Sequence, residues 1–361
     1  MDIVIHAWRD LDHPYAGGSE KLVNQIAFGM TKRGHQVHLI CGGPVGQRPY
    51  GVTNAGGTFS QYLRMPWIDR RLTRHADLVV DVANGATYCT PLWRRKPTLL
   101  LVHHIHTDQW PQRFPWPLSF LGSFFERRIL PFIYRRCLVL TISRSTAEGL
   151  RGIGVDDSQI RIIKNAVEVT DSSSIRSPTP LFVVLGRLVA HKRIGLLLNM
   201  WEHVRPVVGG RLVILGDGPE LSALQARVVE GAEFLGRVDD TTKNQFLSEA
   251  WMLVHGASHE GWGIAISEAA SYGTPSIGFN VPGVRDAITH SQTGLLANDV
   301  DDFIKYWIEL ASDNDRRTEY GANARNHALQ LDIRHTIDRF EEVALEAISR
   351  RQRRSKDRVK H

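Results

Sequence analysis

Short, nearly unbroken apolar runs alternate along the chain with longer segments in which apolar residues recur at helical spacing. DIVIH (2–6), GHQVHLICGG (34–43), ADLVVDVANG (76–85), KPTLLLVHHIH (96–106), LVLTIS (138–143) and QIRIIKNAVE (159–168) read as strands. LVNQIAFGMTKRG, between the first two, keeps its apolar residues on one helical face and stops at Gly34. Runs buried on both faces and joined by helices predict α/β units built on parallel sheets. PYGVTNAGGTFSQYLR (49–64) reads as short strands and turns. The pattern pauses at DSSSIRSPTP (171–180), polar and proline-bearing, and resumes with LFVVLG, RLVILGDGPE, GAEFLGRVDD, AWMLVHGA and PSIGF. It therefore predicts a domain over 1–170, a linker over 171–180 and a second domain over 181–330, each of ordinary size. Helical spacing fills the remainder up to 349, and 350–361 (RRQRRSKDRVKH) is so charged that a disordered basic tail is expected.

Candidate chemistry concentrates in HEGWGIAISEAASYGTPSIGF (259–279). Glu260 and Glu268 are separated by a stretch that begins Gly261-Trp262-Gly263 and runs into a helix near Ile264 and Ala265. Glycines bring bare backbone close to a ligand, and a helix start offers unpaired N–H groups and a positive dipole end to a phosphate. AWMLVHGA precedes this loop and places it at the carboxyl end of a strand, where open α/β sheets bind ligands. Arg187 and Lys192 follow LFVVLG in the same way, a fork and a point charge suited to a diphosphate, or else a surface ion pair. Gly216, after the next strand, permits a close backbone approach. Gly17 and Gly18 open the first helix, either as an ordinary turn or as N–H donors to a bound diphosphate or acceptor. His103, His104 and His106 end a strand with no second ligand cluster to complete a metal site, and no metal is expected. Asp299-Val300-Asp301 has the spacing of a metal-binding DxD, but NDVDDFIKYW reads as a helix N-cap with an acidic first turn.

GGSE near the start, GRLVAHKR and GDGPE in the middle, EFLGRVDD, the Glu-x7-Glu stretch and TGLL, in that order, resemble the retaining GT-B glycosyltransferases of family 4. The resemblance implies two doubly wound Rossmann-like α/β domains facing a cleft, with the last helix (331–349) returning to the first domain. It implies transfer of a hexosyl unit from a UDP-sugar or GDP-sugar to a lipid, lipid-linked glycan or other glycan, without a metal or further cofactor. On the matching positions, Arg187 and Lys192 bind the donor diphosphate, Glu260 the sugar and Glu268 the ribose. The backbone of Gly261, Trp262, Gly263, Ile264 and Ala265 meets the sugar and phosphate, and Arg237 and Val238 pack along the base. His103, with His104 in reserve, contacts the donor sugar, and Gly17 and Gly18 face the ligand.

Composition narrows the setting. Hydrophobic residues at 42% and charged residues at 23% describe a soluble globular protein. No apolar run approaches the roughly 20 residues of a membrane span, and the chain starts directly in a strand, so a cytoplasmic protein is expected. Cys41, Cys89 and Cys137 lack CxxC spacing, which argues against a disulfide framework or zinc. Residues 1–170 carry 21 Lys and Arg against 13 Asp and Glu, 171–349 carry 16 against 24, and 350–361 carry 7 against 1. The basic ends favour an anionic partner. Over 110–136, Trp110, Phe114, Trp116, Phe120, Phe124, Phe125, Phe132 and Tyr134 interleave with Arg113, Arg127, Arg128, Arg135 and Arg136. They form either core helices with solvated arginines or a peripheral contact with the inner face of the cell membrane. Pro115, Pro117 and Pro131 argue against one long helix. Two other readings fit part of this pattern: a sugar-nucleotide epimerase or a phosphorylase of the same fold, and a non-catalytic protein binding an anionic membrane or nucleic acid. Nucleic acid is not expected, because the donor-side positions carry the residue types that nucleotide-sugar chemistry needs.

Overall fold

Strands that read as unbroken apolar runs are covered on both faces, and each runs parallel to its neighbours. The computed structural model describes all residues except 15, 108, 111–113, 168, 170–174 and 360–361, and only the backbone over 354–359. Arg113 and the first four residues of the expected linker lie outside the described residues. Contacts divide the chain into two units, Met1–Ala166 with Ile333–His361, and Val167–Asp332.

Among the described residues the first unit holds a seven-stranded parallel sheet in the order β3-β2-β1-β4-β5-β6-β7. The strands are β1 (Asp2–Arg9), β2 (Gln36–Gly42), β3 (Gly51–Asn54), β4 (Leu78–Ala83), β5 (Thr98–Val102), β6 (Leu138–Thr141) and β7 (Ile160–Ile162). Its helices are α1 (Gly18–Lys32), α2 (Ser60–Leu72), α3 (Thr90–Trp93), α4 (118–134) and α5 (Arg144–Gly152). Helix α2 replaces part of the turns expected over 49–64. Its buried positions are Gln61, Met65, Ile68 and Asp69, so the inward face has helical spacing but is half polar. Gln61 and Asp69 are satisfied inside, by the Trp8 carbonyl and by His6 at 3.1 Å, which hides the stripe from a hydrophobicity reading. Helix α4 runs without a break as Leu118–Phe124, a π-helical turn Phe125–Ile129, and Leu130–Tyr134. Pro115 and Pro117 precede the start of α4, in keeping with the expectation, but the break expected at Pro131 is absent, because Pro131 lies at the first turn after the π segment, where its missing N–H is tolerated.

Among the described residues the second unit repeats the plan with six parallel strands, β10-β9-β8-β11-β12-β13. These are β8 (Leu181–Leu185), β9 (Arg211–Leu215), β10 (Ala232–Gly236), β11 (Met252–His255), β12 (Ser276–Phe279) and β13 (Gly294–Ala297). Its helices are α6 (Ile194–Val208), α7 (Leu221–Gln225), α8 (Asp240–Glu249), α9 (Ile264–Ser271), α10 (Val284–Ala287), α11 (Val300–Ser312) and α12 (Asn314–Leu329). Alternate strand residues feed two cores. Phe182, Leu212 and Ile277 pack with Trp201, Phe303 and Trp307 on one face. Leu181, Val183, Val213 and Leu253 pack with Leu247, Ile266 and Tyr272 on the other. The strand order reverses between β8 and β11, the position where such sheets open a crevice at their carboxyl ends.

Residues 175–180 pack on this second unit. The Arg176 guanidinium donates to the carbonyls of Ser248, Ala250, Tyr272 and Gly273 and to the Thr274 hydroxyl, closing the C-terminal ends of α8 and α9 with one cation. Helix α13 (Ile333–Val359) packs against α1, with Arg33 bound to Asp338 and Glu341, and Arg161 paired with Glu346 at 2.6 Å. It continues past 349 to Val359, so the residues expected to be disordered are helical over that length. Arg, Lys and Gln are good helix formers, and the stretch contains no Gly or Pro to stop it. Among the described residues no helix is long and apolar enough to cross a membrane.

Candidate active site

Each loop of the candidate site in the second unit leaves the carboxyl end of a strand. Lys192 follows β8 and Glu260 follows β11, neighbours at the point where strand order reverses, so residues 68 apart in sequence form an ion pair. Their side chains are only 17% and 16% exposed. His255, the last residue of β11 and buried, donates from Nε2 to the same Glu260 oxygen at 3.0 Å. Burial alone would raise the Glu260 carboxyl. The Lys192 charge and the His255 hydrogen bond outweigh it and hold the group well below the usual carboxylate range. Burial pushes His255 itself down, so it is neutral at pH 7. Glu260 is thus a fixed anion and Lys192 is already matched. Arg187 differs: its side chain is exposed and has no partner among the described residues.

Glycines let these loops touch each other. A Cβ on Gly216 would lie 1.9 Å from the Gly186 carbonyl oxygen, and one on Gly283 would lie 2.2 Å from that of Glu260. The close approach admitted by Gly216 is therefore to the loop carrying Arg187. Gly263 (φ +81°) adopts the left-handed conformation at the N-cap of α9, and leaves the first-turn amides of Ile264 and Ala265 without intrahelical partners. Gly261 precedes it, while the Trp262 ring is buried and donates to the Ser267 hydroxyl at 2.8 Å, so the loop presents the Trp262 backbone. Glu268 lies on α9 and pairs with Lys243 of α8 at 3.2 Å. Burial would lower the Lys243 pKa, but Glu268 and Asp240 leave it raised. Arg237 is exposed after β10, and Val238 packs against the core.

In the first unit, Gly17 and Gly18 open α1 after β1. The Gly17 N–H is donated to Glu20 at 2.8 Å, as is the Ser19 hydroxyl at 2.8 Å, so a buried carboxylate occupies this helix start. His103 follows β5 and is 4% exposed. Its Nε2 has no hydrogen-bond partner among the described residues, and burial lowers its pKa to about 4, keeping the ring neutral at pH 7. His104, beside it, lies 3.8 Å from the His106 ring. Asp299 caps α11 by accepting from the Asp302 amide at 2.8 Å.

His255, Lys243 and Arg193 escaped the sequence reading. His255 carries one available signal, a histidine ending a strand five residues before Glu260. Lys243 carries none, because only packing of α8 on α9 pairs it with Glu268. Arg193, next to Lys192, turns away to the Gly256 carbonyl at 2.7 Å and the Phe279 ring.

Residues 16–171 match the model of Glycosyltransferase Family 4, and residues 168–327 that of Glycosyl transferases group 1. The chain belongs to the group 1, family 4 glycosyltransferases, and its two sheets have the GT-B fold. It is 25% identical over 228 residues to the O-antigen chain mannosyltransferase RfbU of Salmonella typhimurium, covering 59% of this chain and 61% of that one. It is 32% identical over 161 residues to a GDP-mannose-dependent phosphatidylinositol monomannoside mannosyltransferase of Mycobacterium tuberculosis, covering 40% of this chain and 42% of that one. The chain spans between 24% and 61% of the length of the curated relatives it matches. HepE of Anabaena, solved with UDP and glucose, superposes with a TM-score of 0.78 at 17% identity, covering 95% of this chain and 98% of that one. Sucrose-phosphate synthase of Thermosynechococcus elongatus gives 0.82 at 16% identity, with 96% and 99% covered.

Proposed function

We propose that this protein is a retaining glycosyltransferase that moves a hexosyl unit from a UDP-sugar or GDP-sugar to a lipid, lipid-linked glycan or other glycan. The observation that carries the reading is the second unit's strand switch point, where Glu260 is held ionised by Lys192 and His255, and Arg187, on the loop after β8, has no side-chain partner among the described residues. Arg187 and Lys192 take the donor diphosphate, with the α9 start and the backbone of Gly261 to Ala265 on the phosphate and sugar. Glu260 accepts from the sugar hydroxyls. Glu268, oriented by Lys243, accepts from the ribose hydroxyls, and Arg237 and Val238 line the base. His103 supplies a neutral, buried nitrogen that has no hydrogen-bond partner among the described residues for a sugar hydroxyl, since a buried polar atom without a partner is stabilised by gaining one.

In the transfer, the bond between the anomeric carbon and the diphosphate oxygen breaks, and a bond to the acceptor oxygen forms on the same face. The acceptor proton passes to the leaving phosphate oxygen, and Arg187 and Lys192 stabilise the charge that develops there. No metal or further cofactor is needed for these steps.

Support for a lipid-linked acceptor comes from α4 and its approach, where Trp116, Phe120, Phe124 and Phe132 are exposed beside Arg127, Arg128, Arg135 and Arg136. The named relatives point the same way: one uses GDP-mannose and a phosphatidylinositol mannoside, the other acts on an O-antigen chain. A peripheral position on the inner face of the membrane follows from this reading. Calorimetric titration with UDP, GDP and ADP and their hexose conjugates tests the donor site. One nucleotide should bind, and Arg187→Ala and Glu268→Ala should each weaken it by about tenfold or more. Absence of binding, or variants that bind as well as the parent, would remove the assignment. The anomeric configuration of the product, read by NMR, separates retention from inversion.

A further inference from the structure

The starts of β4, β5 and β6 in the first unit, marked by Asp77, Thr98 and Leu138, border a cavity of about 860 Å³ completed by α3, α4 and α13. The strands are parallel, so this edge lies across the sheet from the carboxyl ends that lead to His103. The five residues of β5 separate the two edges by roughly 17 Å. Seven cations line the cavity: Arg94, which is buried in an ion pair with Asp69, and Arg95, Lys96, Arg135, Arg136, Arg350 and Arg351. They come from three stretches far apart in sequence, the loop before β5, the end of α4 and the later turns of α13.

Some of these cations have structural work. Arg135 donates to the Phe132 carbonyl at 2.9 Å, an ordinary role for a cation at a helix C-terminus, and Arg350 pairs with Glu346 at 2.9 Å. Arg95, Lys96 and Arg351 have no hydrogen bond or ion pair from their side chains among the described residues. The only carboxylate among the lining residues is Asp77, whose Oδ2 already accepts the Asp2 amide at 2.9 Å. A helix dipole accounts for one cation at each helix end. It does not account for three stretches converging their charges on one concave space, where like charges repel and a multivalent anion relieves the repulsion. Part of the wall is apolar and open, with Leu92 and Phe132 exposed by 69% and 62%. A ligand with a phosphate head and an apolar flank meets both surfaces.

We propose that this cavity is a second anion-binding site, separate from the nucleotide-sugar site, for a ligand bearing a phosphomonoester or diphosphate group. Guanidinium forks match phosphate oxygens two at a time, and Lys96 adds a point charge. The group is either a lipid headgroup or a free phosphate compound, and the two sources are separable by experiment.

The test uses the full chain with the donor site saturated by nucleoside diphosphate. Inorganic pyrophosphate is titrated by calorimetry, and co-sedimentation is measured with phosphatidylcholine vesicles with and without phosphatidic acid. At least one probe should bind, and Arg95→Ala/Lys96→Ala/Arg351→Ala should weaken it by about tenfold or more while leaving nucleotide affinity and the melting curve unchanged. Pyrophosphate binding alone supports a free phosphate ligand, and binding only to phosphatidic acid vesicles supports a headgroup. If the triple variant melts early, Arg95→Glu, at an exposed position, becomes the deciding comparison. Failure of both probes to bind, or equal binding by parent and variant, overturns the proposal. Failure of nucleotides to bind would overturn the donor-site reading and leave this result standing.

Discussion

Glu260 is the residue on which the candidate donor site turns, and its environment makes a testable demand on pH. Burial would neutralise it, yet Lys192 and His255 keep its folded-state pKa below the ordinary value of 4.5. A carboxyl that is more acidic folded than unfolded contributes stability that is fully present above about pH 4.5 and lost as pH falls below it. Glu260→Gln should therefore flatten the fall in urea midpoint between about pH 5 and 3, while the parent declines steeply. An equal decline in both would mean that the pair contributes nothing to folding. The carboxylate pair Glu260 and Glu268 was legible from its spacing and the intervening glycines. The partners were not. His255, Lys192 and Lys243 are chosen by strand adjacency and helix packing, which connect positions that have no sequence relation.

Single side chains also decide how elements end. Arg176 belongs to a stretch that reads as linker, yet it is half-buried and bonds five oxygens at the C-terminal ends of α8 and α9. Burial lowers its pKa to about 10, so it is still charged at pH 7. Arg176→Ala should lower the stability of the second unit by about 3 kcal/mol, because it strands several helix-end carbonyls. Arg176→Lys should recover only part of this, since a point charge cannot replace the planar fork. Denaturant midpoints for the two variants check both statements, and equal values for parent and Arg176→Ala would refute them. At this scale the strands were legible because burial on both faces leaves a plain apolar run. Helix α2 was not, since Gln61 and Asp69 occupy inward positions and only buried partners explain them.

Across the whole molecule, the chain order of residues and the contents of each unit differ. Helix α13 follows the second unit in sequence but belongs to the first, burying Ile337, Phe340, Val343 and Ala344 there. Each large apolar side chain so buried contributes about 1.5–3 kcal/mol. Ending the chain after Asp332 should therefore unfold or aggregate the first unit while the second keeps its melting transition. Limited proteolysis of the shortened chain reads this directly, and a first unit that resists the protease as well as in the full chain would contradict it. The same helix brings Arg350 and Arg351 to the cations of 95–96 and 135–136. No reading of the basic clusters one at a time could unite them.

What the sequence determined by itself was whatever rests on local periodicity and on short motifs in order. This includes two sets of parallel βα units, glycine-bearing loops at strand ends, and membership of the group 1 glycosyltransferases. These follow because backbone geometry repeats every two residues in strands and every 3.6 in helices, so burial writes itself into the sequence at those periods. The tertiary structure alone decided which charges meet. It paired Lys192 with Glu260 across the switch point, set Arg193 aside as a structural contact, and left Arg187 exposed. It also gathered the basic cavity at the opposite edge of the first sheet. Electrostatic interactions depend on distance in space and on burial, and neither is encoded by position along the chain.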